Sequence, residues 1–212
     1  MDPVDYSLYL VTDRSLSRGR GTVEIVRAAV AGGVTCVQLR EKSCGTREFV
    51  EEARALGAVL RDAGVPLIVN DRVDVALAAG ANGVHLGQRD LALADARRLG
   101  PPGWIIGVSA ESVEDAIRAE REGADYIGVS PVFATPTKTD HAQPLGLEGL
   151  RAIRAAVKIP LVAIGGIHAG NAQDVIRAGA DGLAVVSAIA SADSPQAAAA
   201  ALRREIAAAR KV

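Results

Sequence analysis

Polar and charged residues gather along this chain in short groups, each following a run of apolar ones. The first is Gln38-Leu39-Arg40-Glu41-Lys42, where extended backbone points Gln38, Arg40 and Lys42 the same way. An amide and two cations on one face suit a diphosphate clamp; the alternative is a solvated charged rim. Asn70-Asp71-Arg72 and His85-Leu86-Gly87-Gln88-Arg89-Asp90 come next. Asp71 and Asp90 can share one hard cation, Mg2+, whose shell water and phosphate oxygens complete; alternatively each caps the helix that follows it. Carboxylates set among Arg40, Lys42 and Lys138 make sense when a metal diphosphate fills the space between them. Ser109 offers a hydroxyl to a phosphate oxygen or to a helix start. No nucleophile-base motif accompanies it, which disfavours covalent catalysis.

A second set of groups suits a second anion. Gly128 to Asp140 is a loop in which Thr135, Thr137, Lys138 and Thr139 place several donors and a cation close together, stiffened by Pro131 and Pro136. Its alternative reading is a solvated Thr-rich turn. In Ile164-Gly165-Gly166-Ile167 the glycines let backbone N–H groups approach an anion, and Val185-Val186-Ser187 adds a hydroxyl. The expectation is one barrel mouth holding a metal diphosphate on one side and a monophosphate on the other, with Lys138 between them. His85 lies inside an apolar run and reads as a packed, hydrogen-bonded side chain; His141 and His168 are loop residues without assigned partners. Cys36 and Cys44 fit neither a disulfide framework nor zinc spacing.

These groups need a scaffold that brings distant stretches together. Short β-like runs alternate with Ala-rich helical ones: Tyr6 to Val11, Val34 to Leu39, Pro66 to Val69, Val84 to Leu86, Ile105 to Val108, Tyr126 to Val129, Leu161 to Ile164 and Leu183 to Val186. Thr22, Ser112 and Ser194 read as helix caps. Eight strand-helix units over 212 residues predict an α/β fold, a single-domain (β/α)8 TIM barrel spanning 1–212, with an open doubly wound sheet as the runner-up. An internal echo favours closure. Gly32-Gly33-Val34-Thr35, Gly80-Ala81-Asn82-Gly83, Gly123-Ala124-Asp125-Tyr126 and Gly179-Ala180-Asp181-Gly182 recur about every 45–55 residues, each with a glycine expected to end a helix in the left-handed conformation. This repeat implies structure and no chemistry.

Composition excludes some functions. A net charge of −1 with both signs scattered argues against a nucleic-acid or membrane surface. The start Met1-Asp2-Pro3-Val4-Asp5-Tyr6 lacks the basic and apolar regions of a signal peptide, so a cytoplasmic location is expected. The partners are then two small phosphorylated molecules; a homo-oligomer is compatible with the composition.

The ordered set resembles the thiamine phosphate synthase (thiamine-phosphate diphosphorylase) family over almost the whole chain. It comprises Gln38 to Lys42, Asn70-Asp71-Arg72, Val84 to Asp90, Gly107-Val108-Ser109, Pro131 to Lys138, Ile164 to Ile167 and Val185 to Ile189. The resemblance implies joining of aminomethylpyrimidine diphosphate to hydroxyethylthiazole phosphate with release of diphosphate. It assigns Gln38, Leu39, Arg40, Glu41, Lys42, Asn70, Ser109 and Lys138 to the pyrimidine diphosphate, and Asp71 and Asp90 to Mg2+. It gives Thr135, Pro136, Thr137, Gly166, Val186 and Ser187 to the thiazole phosphate. Arg40, Ser109 and Lys138 are the expected catalytic residues. Ser130 stands where many relatives have glycine, a small change in that loop. Three rival readings remain: a thiazole tautomerase, which has no use for a diphosphate clamp; a sugar-phosphate isomerase or epimerase, which needs an acid-base pair not found here; and a non-catalytic binding barrel.

Overall fold

The computed structural model describes residues 3–135 and 143–211. Among them, eight parallel strands hydrogen-bond in sequence order and close on themselves, the first pairing with the eighth. The strands are β1 (Leu8–Val11), β2 (Cys36–Leu39), β3 (Leu67–Asn70), β4 (Gly83–Leu86), β5 (Ile105–Ala110), β6 (Tyr126–Val129), β7 (Leu161–Ile164) and β8 (Gly182–Val185). Around them lie α1 (Thr22–Ala31), α2 (Thr46–Asp62), α3 (Val73–Ala79), α4 (Leu93–Leu99), α5 (Val113–Glu122), α6 (Gly146–Ala156), α7 (Ala172–Arg177), α8 (Ser187–Ala190) and α9 (Pro195–Ala209). The closed barrel is the expected fold, and the open sheet is excluded.

Local differences from expectation have local causes. β5 runs on to Ala110, so Ser109 sits within the strand, not after it. A turn of 3-10 helix at Arg14–Leu16 and the four-residue α8 are too short to leave a periodic signature. Thr22 is the first residue of α1, and the cap position belongs to Gly21, which makes no side-chain cap bond. Ser112 and Ser194 do cap, accepting from the backbone N–H of Asp115 and Ala197.

Strand parity divides the core. Leu8, Leu10, Val37 and Leu39 point outward into the layer between sheet and helices, while Tyr9, Val11 and Cys36 point into the barrel. Helices answer with apolar stripes at helical spacing; α2 buries Phe49, Ala53, Leu56 and Leu60. Each large side chain buried there contributes roughly 1.5–3 kcal/mol before entropy is counted. No helix among the described residues is long and apolar enough to cross a membrane.

The sequence echo forms four copies of one device at the N-terminal end of the barrel. The residue just before each even-numbered strand accepts a bond from the backbone N–H of the preceding odd strand through its side chain. Thr35 Oγ1 takes Leu8 N at 3.1 Å, Asn82 Oδ1 takes Leu67 N at 2.9 Å, Asp125 Oδ2 takes Ile106 N at 2.7 Å and Asp181 Oδ2 takes Leu161 N at 2.8 Å. The same four residues donate their own N–H to the carbonyls of Leu8, Leu67, Ile106 and Leu161. These two bonds in every copy, joined in the first by a bond from the Thr35 hydroxyl to the Leu8 carbonyl, satisfy strand ends that the barrel would otherwise leave open. Gly80, Gly123 and Gly179 adopt positive φ as expected, but in the first copy Gly33 does so, at φ +101°, and Gly32 stays right-handed. Gly32 is needed for another reason: a Cβ there would lie 2.3 Å from the Gln196 carbonyl oxygen of α9.

Candidate active site

At the opposite end, the carboxyl ends of the strands open into a cavity of about 960 Å³. Gln38, Arg40, Lys42, Asn70, Asp71, Asp90, Ser109, Thr135, Gly166, Val186 and Ser187 all line it, so residues spread over 150 positions converge as the groups predicted. Leu39 and Glu41 do not reach it with their side chains. Parity sends Leu39 outward into the helix-facing core and Glu41 outward to Arg14, whose Nε lies 3.5 Å from Glu41 Oε1. Burial first, and then the charge of Glu52, push the Glu41 carboxyl above its ordinary range, with Arg14 opposing. Pro136, Thr137 and Lys138 lie outside the described residues, as does His141.

The β1–β4 half of the mouth is charged and partnered. Arg40 donates from Nη1 to Asp13 Oδ2 at 2.9 Å, and its backbone N–H donates to Thr12 Oγ1, fixing the residue from the end of β1. Lys42 Nζ lies 2.7 Å from Asp71 Oδ2. Asp71 holds φ +61°, a left-handed conformation rare outside glycine and a form of local strain common at functional sites. Its carboxyl and that of Asp90 act on each other electrostatically in opposite directions, lowering the one and raising the other. Burial works against ionisation of Asp71, but the bond with Lys42 and the influence of Asp90 outweigh it and hold the carboxyl below its usual range. Burial and the neighbouring Asp71 raise Asp90 despite the Gly87 N–H that Oδ2 accepts at 2.7 Å. Neither aspartate caps a helix: the cap positions of α3 and α4 are Arg72 and Ala92.

Two facing carboxyls competing for one proton form a hard-oxygen donor set, and a divalent cation fits it. Among the described residues, no cluster of three or more His, Cys, Asp and Glu side chains could hold a metal ion. A cation at this pair would therefore draw the rest of its shell from water and substrate oxygens, the usual situation for Mg2+.

Inside the barrel, below the charged rim, the expected apolar filling is interrupted by a polar row. Gln38 Nε2 donates to Tyr9 Oη at 3.1 Å, and the Tyr9 and Tyr126 hydroxyls are 2.8 Å apart. Tyr126 Oη is 2.9 Å from His85 Nδ1, and His85 Nε2 is 2.9 Å from Ser109 Oγ. His85 is thus the packed, bonded histidine expected, and Ser109 turns its hydroxyl inward and makes no helix cap. Burial pushes both phenols well above their ordinary value and keeps them protonated. Gly107 makes room for the row, since a Cβ there would meet the Tyr126 ring at 2.1 Å. Sequence reading missed Tyr9 and Tyr126 because each sits in an apolar strand; their inward parity beside Val11 and Gly128 was the available signal.

The β7–β8 side is built from backbone. Gly165 and Gly166 have φ of +108° and +64°, and Asn171 Nδ2 donates to the Gly166 carbonyl at 2.9 Å. Ser187 opens α8 directly beyond the strand end. His168, without an assigned partner in sequence, lines the cavity here and accepts the Gly170 N–H on Nδ1 at 3.1 Å.

Known proteins share both the sequence and this architecture. The family model described as thiamine monophosphate synthase matches residues 8–189. The thiamine-phosphate synthase of Albidiferax ferrireducens is 59% identical over 199 residues, 94% of this chain and 91% of the relative. That of Chloroflexus aurantiacus is 59% identical over 200 residues, covering 94% and 92%. The solved thiamine phosphate pyrophosphorylase from Pyrococcus furiosus superposes with a TM-score of 0.90 at 43% identity, covering 97% of this chain and 98% of that one. A pyrophosphorylase from Bacteroides thetaiotaomicron, at 18% identity and a TM-score of 0.68 over 94% and 96%, shows the shared fold alone. A match of this extent, running through every strand of the barrel, makes the chain an enzyme of the thiamine monophosphate synthase family.

Proposed function

We propose that this enzyme joins aminomethylpyrimidine diphosphate to hydroxyethylthiazole phosphate in the cytoplasm, releasing diphosphate and leaving thiamine phosphate. The observation that carries the reading is the division of one cavity. Arg40, Lys42 and the Asp71–Asp90 pair crowd one side, and the Gly165-Gly166 backbone with Ser187 forms the other. A diphosphate fits the first side and a monophosphate the second.

The chemistry follows from where charge accumulates. As the bond from the pyrimidine methylene to the diphosphate oxygen breaks, negative charge grows on the leaving group, and Arg40 and Lys138 stabilise it. Positioned donors of this kind are each worth about 10²–10³ in rate. Mg2+ held by Asp71 and Asp90 would supply further neutralisation of that charge. Asn70 and Gln38 orient the pyrimidine, whose amino group feeds electrons into the ring as the methylene carbon becomes cation-like. Thr135, Pro136, Thr137, Gly166, Val186 and Ser187 hold the thiazole by its phosphate so that its ring nitrogen faces that carbon. No general base is required, in keeping with a hydroxyl at Ser109 that is bonded to a buried histidine.

Asp71→Ala and Lys138→Ala are expected to lower turnover by about 10²-fold or more with the barrel intact, by the same magnitude of charge stabilisation. The measurement is thiamine phosphate formed from both substrates, with and without Mg2+. Normal turnover in either variant, or product independent of added divalent cation, would sink the assignment.

A further inference from the structure

We propose that the interior row of Gln38, Tyr9, Tyr126, His85 and Ser109 is a directed hydrogen-bond chain. Its single polarity presets Gln38 as an acceptor and Ser109 as a donor toward the ligand, and Tyr126 is the positioning residue at its centre. The proposal rests on the reading of Gln38 and Ser109 as pyrimidine diphosphate residues given above.

All five side chains line the cavity, and four bonds of 3.1, 2.8, 2.9 and 2.9 Å join them across it. The direction follows from proton counting. An amide nitrogen can only donate, so Tyr9 Oη accepts from Gln38 Nε2. The Tyr9 proton then needs an acceptor. Tyr9 is 1% exposed, and the strong acceptor beside it is Tyr126 Oη; the nearby Cys36 thiol is a weak one. Tyr126, having accepted, passes its own proton to His85 Nδ1. With Nδ1 accepting, the neutral imidazole carries its hydrogen on Nε2 and donates to Ser109 Oγ. Ser109, having accepted, keeps its own hydrogen for the cavity, where it meets an anionic oxygen. At the other end, Gln38 Oε1 is left to accept from an amino group.

The reversed chain would present the wrong groups. If Ser109 donated inward to His85, it would offer only lone pairs to a diphosphate, and Gln38 would have to turn its oxygen to Tyr9 and offer N–H to the aminopyrimidine. Two ligand contacts on strands β2 and β5, far apart in sequence, are therefore set together by residues that need not touch the leaving group at all. Cutting the chain at Tyr126 frees both ends to rotate. The ring itself is held by packing on Tyr6, with centroids 4.7 Å apart, so removal of the hydroxyl alone leaves the packing in place.

The experiment has two arms. In the full chain labelled with 15N-histidine, long-range proton–nitrogen spectra read the tautomer of His85, identified by its disappearance in His85→Asn. The expected result is a proton on Nε2 and a bare Nδ1; a proton on Nδ1, in the neutral ring or in the imidazolium, overturns the proposal. In the second arm, Tyr126→Phe is expected to raise KM for the pyrimidine diphosphate about tenfold, the usual net worth of one lost buried bond. The KM for the thiazole phosphate should not move, and the His85 tautomer should become mixed. Unchanged KM for both substrates with an unchanged tautomer overturns it as well. The spectra need no substrate, so a failure of the assigned reaction leaves the tautomer arm to decide the chain by itself.

Discussion

The two ends of this barrel solve different problems with the same eight strands. At the amino end, Thr35, Asn82, Asp125 and Asp181 make the same pair of bonds four times, each side chain contributing an acceptor oxygen and each backbone an N–H. At the carboxyl end no motif recurs among the described residues: Gln38, Asn70, Asp90 and Ser187 come from different strand ends and carry different chemistry. An end that only has to close the sheet can repeat one solution, and the repeat is therefore readable as closure. An end proposed to tell two ligands apart cannot. The energetics diverge in step, with ordinary paired strand ends below and strain and crowded charge above, seen in Asp71 at φ +61° and the raised Asp90.

The sharpest break between the ends is expected from Asp90→Asn. Asp90 takes up a proton more readily in the folded chain than an ordinary aspartate does, because of burial and then Asp71. A carboxyl raised in this way supports folding below its ordinary value and loses that support as pH climbs through the window up to its folded value. The neutral amide avoids the loss, can still accept the Gly87 N–H, and keeps a donor for Asp71. Without added divalent cation, the variant should melt higher than the parent at neutral pH and converge with it toward pH 3. Turnover should nonetheless fall by about 10²-fold, since a hard cation would lose one of its two charged ligands. Calorimetry across that pH range, paired with diphosphate release, checks both halves; a lower melting temperature at neutral pH would refute the account of the pair.

How much of this could be read in advance also differs between the ends. The barrel was legible because strand-helix alternation and the glycine echo both report backbone geometry, which is local. The rim residues were legible because parity carries Gln38, Arg40 and Lys42 to one face once a strand is granted. What stayed hidden lies in pairings between strands. Nothing in Tyr9, Tyr126 or His85 taken singly announces a chain of bonds, since its members are 29, 117, 41 and 24 positions apart. Asp13 was passed over in a polar loop although it grips Arg40. Leu39 and Glu41 show the converse, sitting inside the motif while parity turns their side chains away from the cavity.

Asp13→Ala probes that grip and should have the next largest effect. The Arg40–Asp13 pair is largely shielded, with side chains 22% and 13% exposed, so it holds its geometry better than a surface ion pair. Asp13 also accepts the Ser15 N–H at 3.0 Å and so anchors the turn after β1. Without it Arg40 keeps its charge and loses its aim, and kcat/KM should fall about tenfold, the scale of one charge-assisted bond. Asp13→Asn, which keeps an acceptor for the guanidinium, should recover part of the loss. Steady-state rates for the two variants decide this, and equal rates for Asp13→Ala and the parent would detach Asp13 from the site.

The smallest effect belongs to the amino end, where the repeat makes an additivity test possible. Asn82→Ala removes the acceptor for the Leu67 N–H while leaving the backbone bond from residue 82 to the Leu67 carbonyl. The expected cost is about 1 kcal/mol, the net value of one such bond, or about 2–4 °C in Tm for a chain of this size. Thr35→Ala removes the equivalent acceptor for the Leu8 N–H, together with the hydroxyl's own bond to the Leu8 carbonyl, on a different strand pair; the double variant should show the sum of the two single losses, since the two copies share no partner. kcat and both KM values should stay at the parent's level in all three proteins, because a clamp at one mouth of a closed barrel constrains strand starts and leaves strand ends to their own bonds. A change in KM without a change in Tm would mean that strain passes along β3 from one end to the other, and the division between a repeating end and a reacting end would have to be given up.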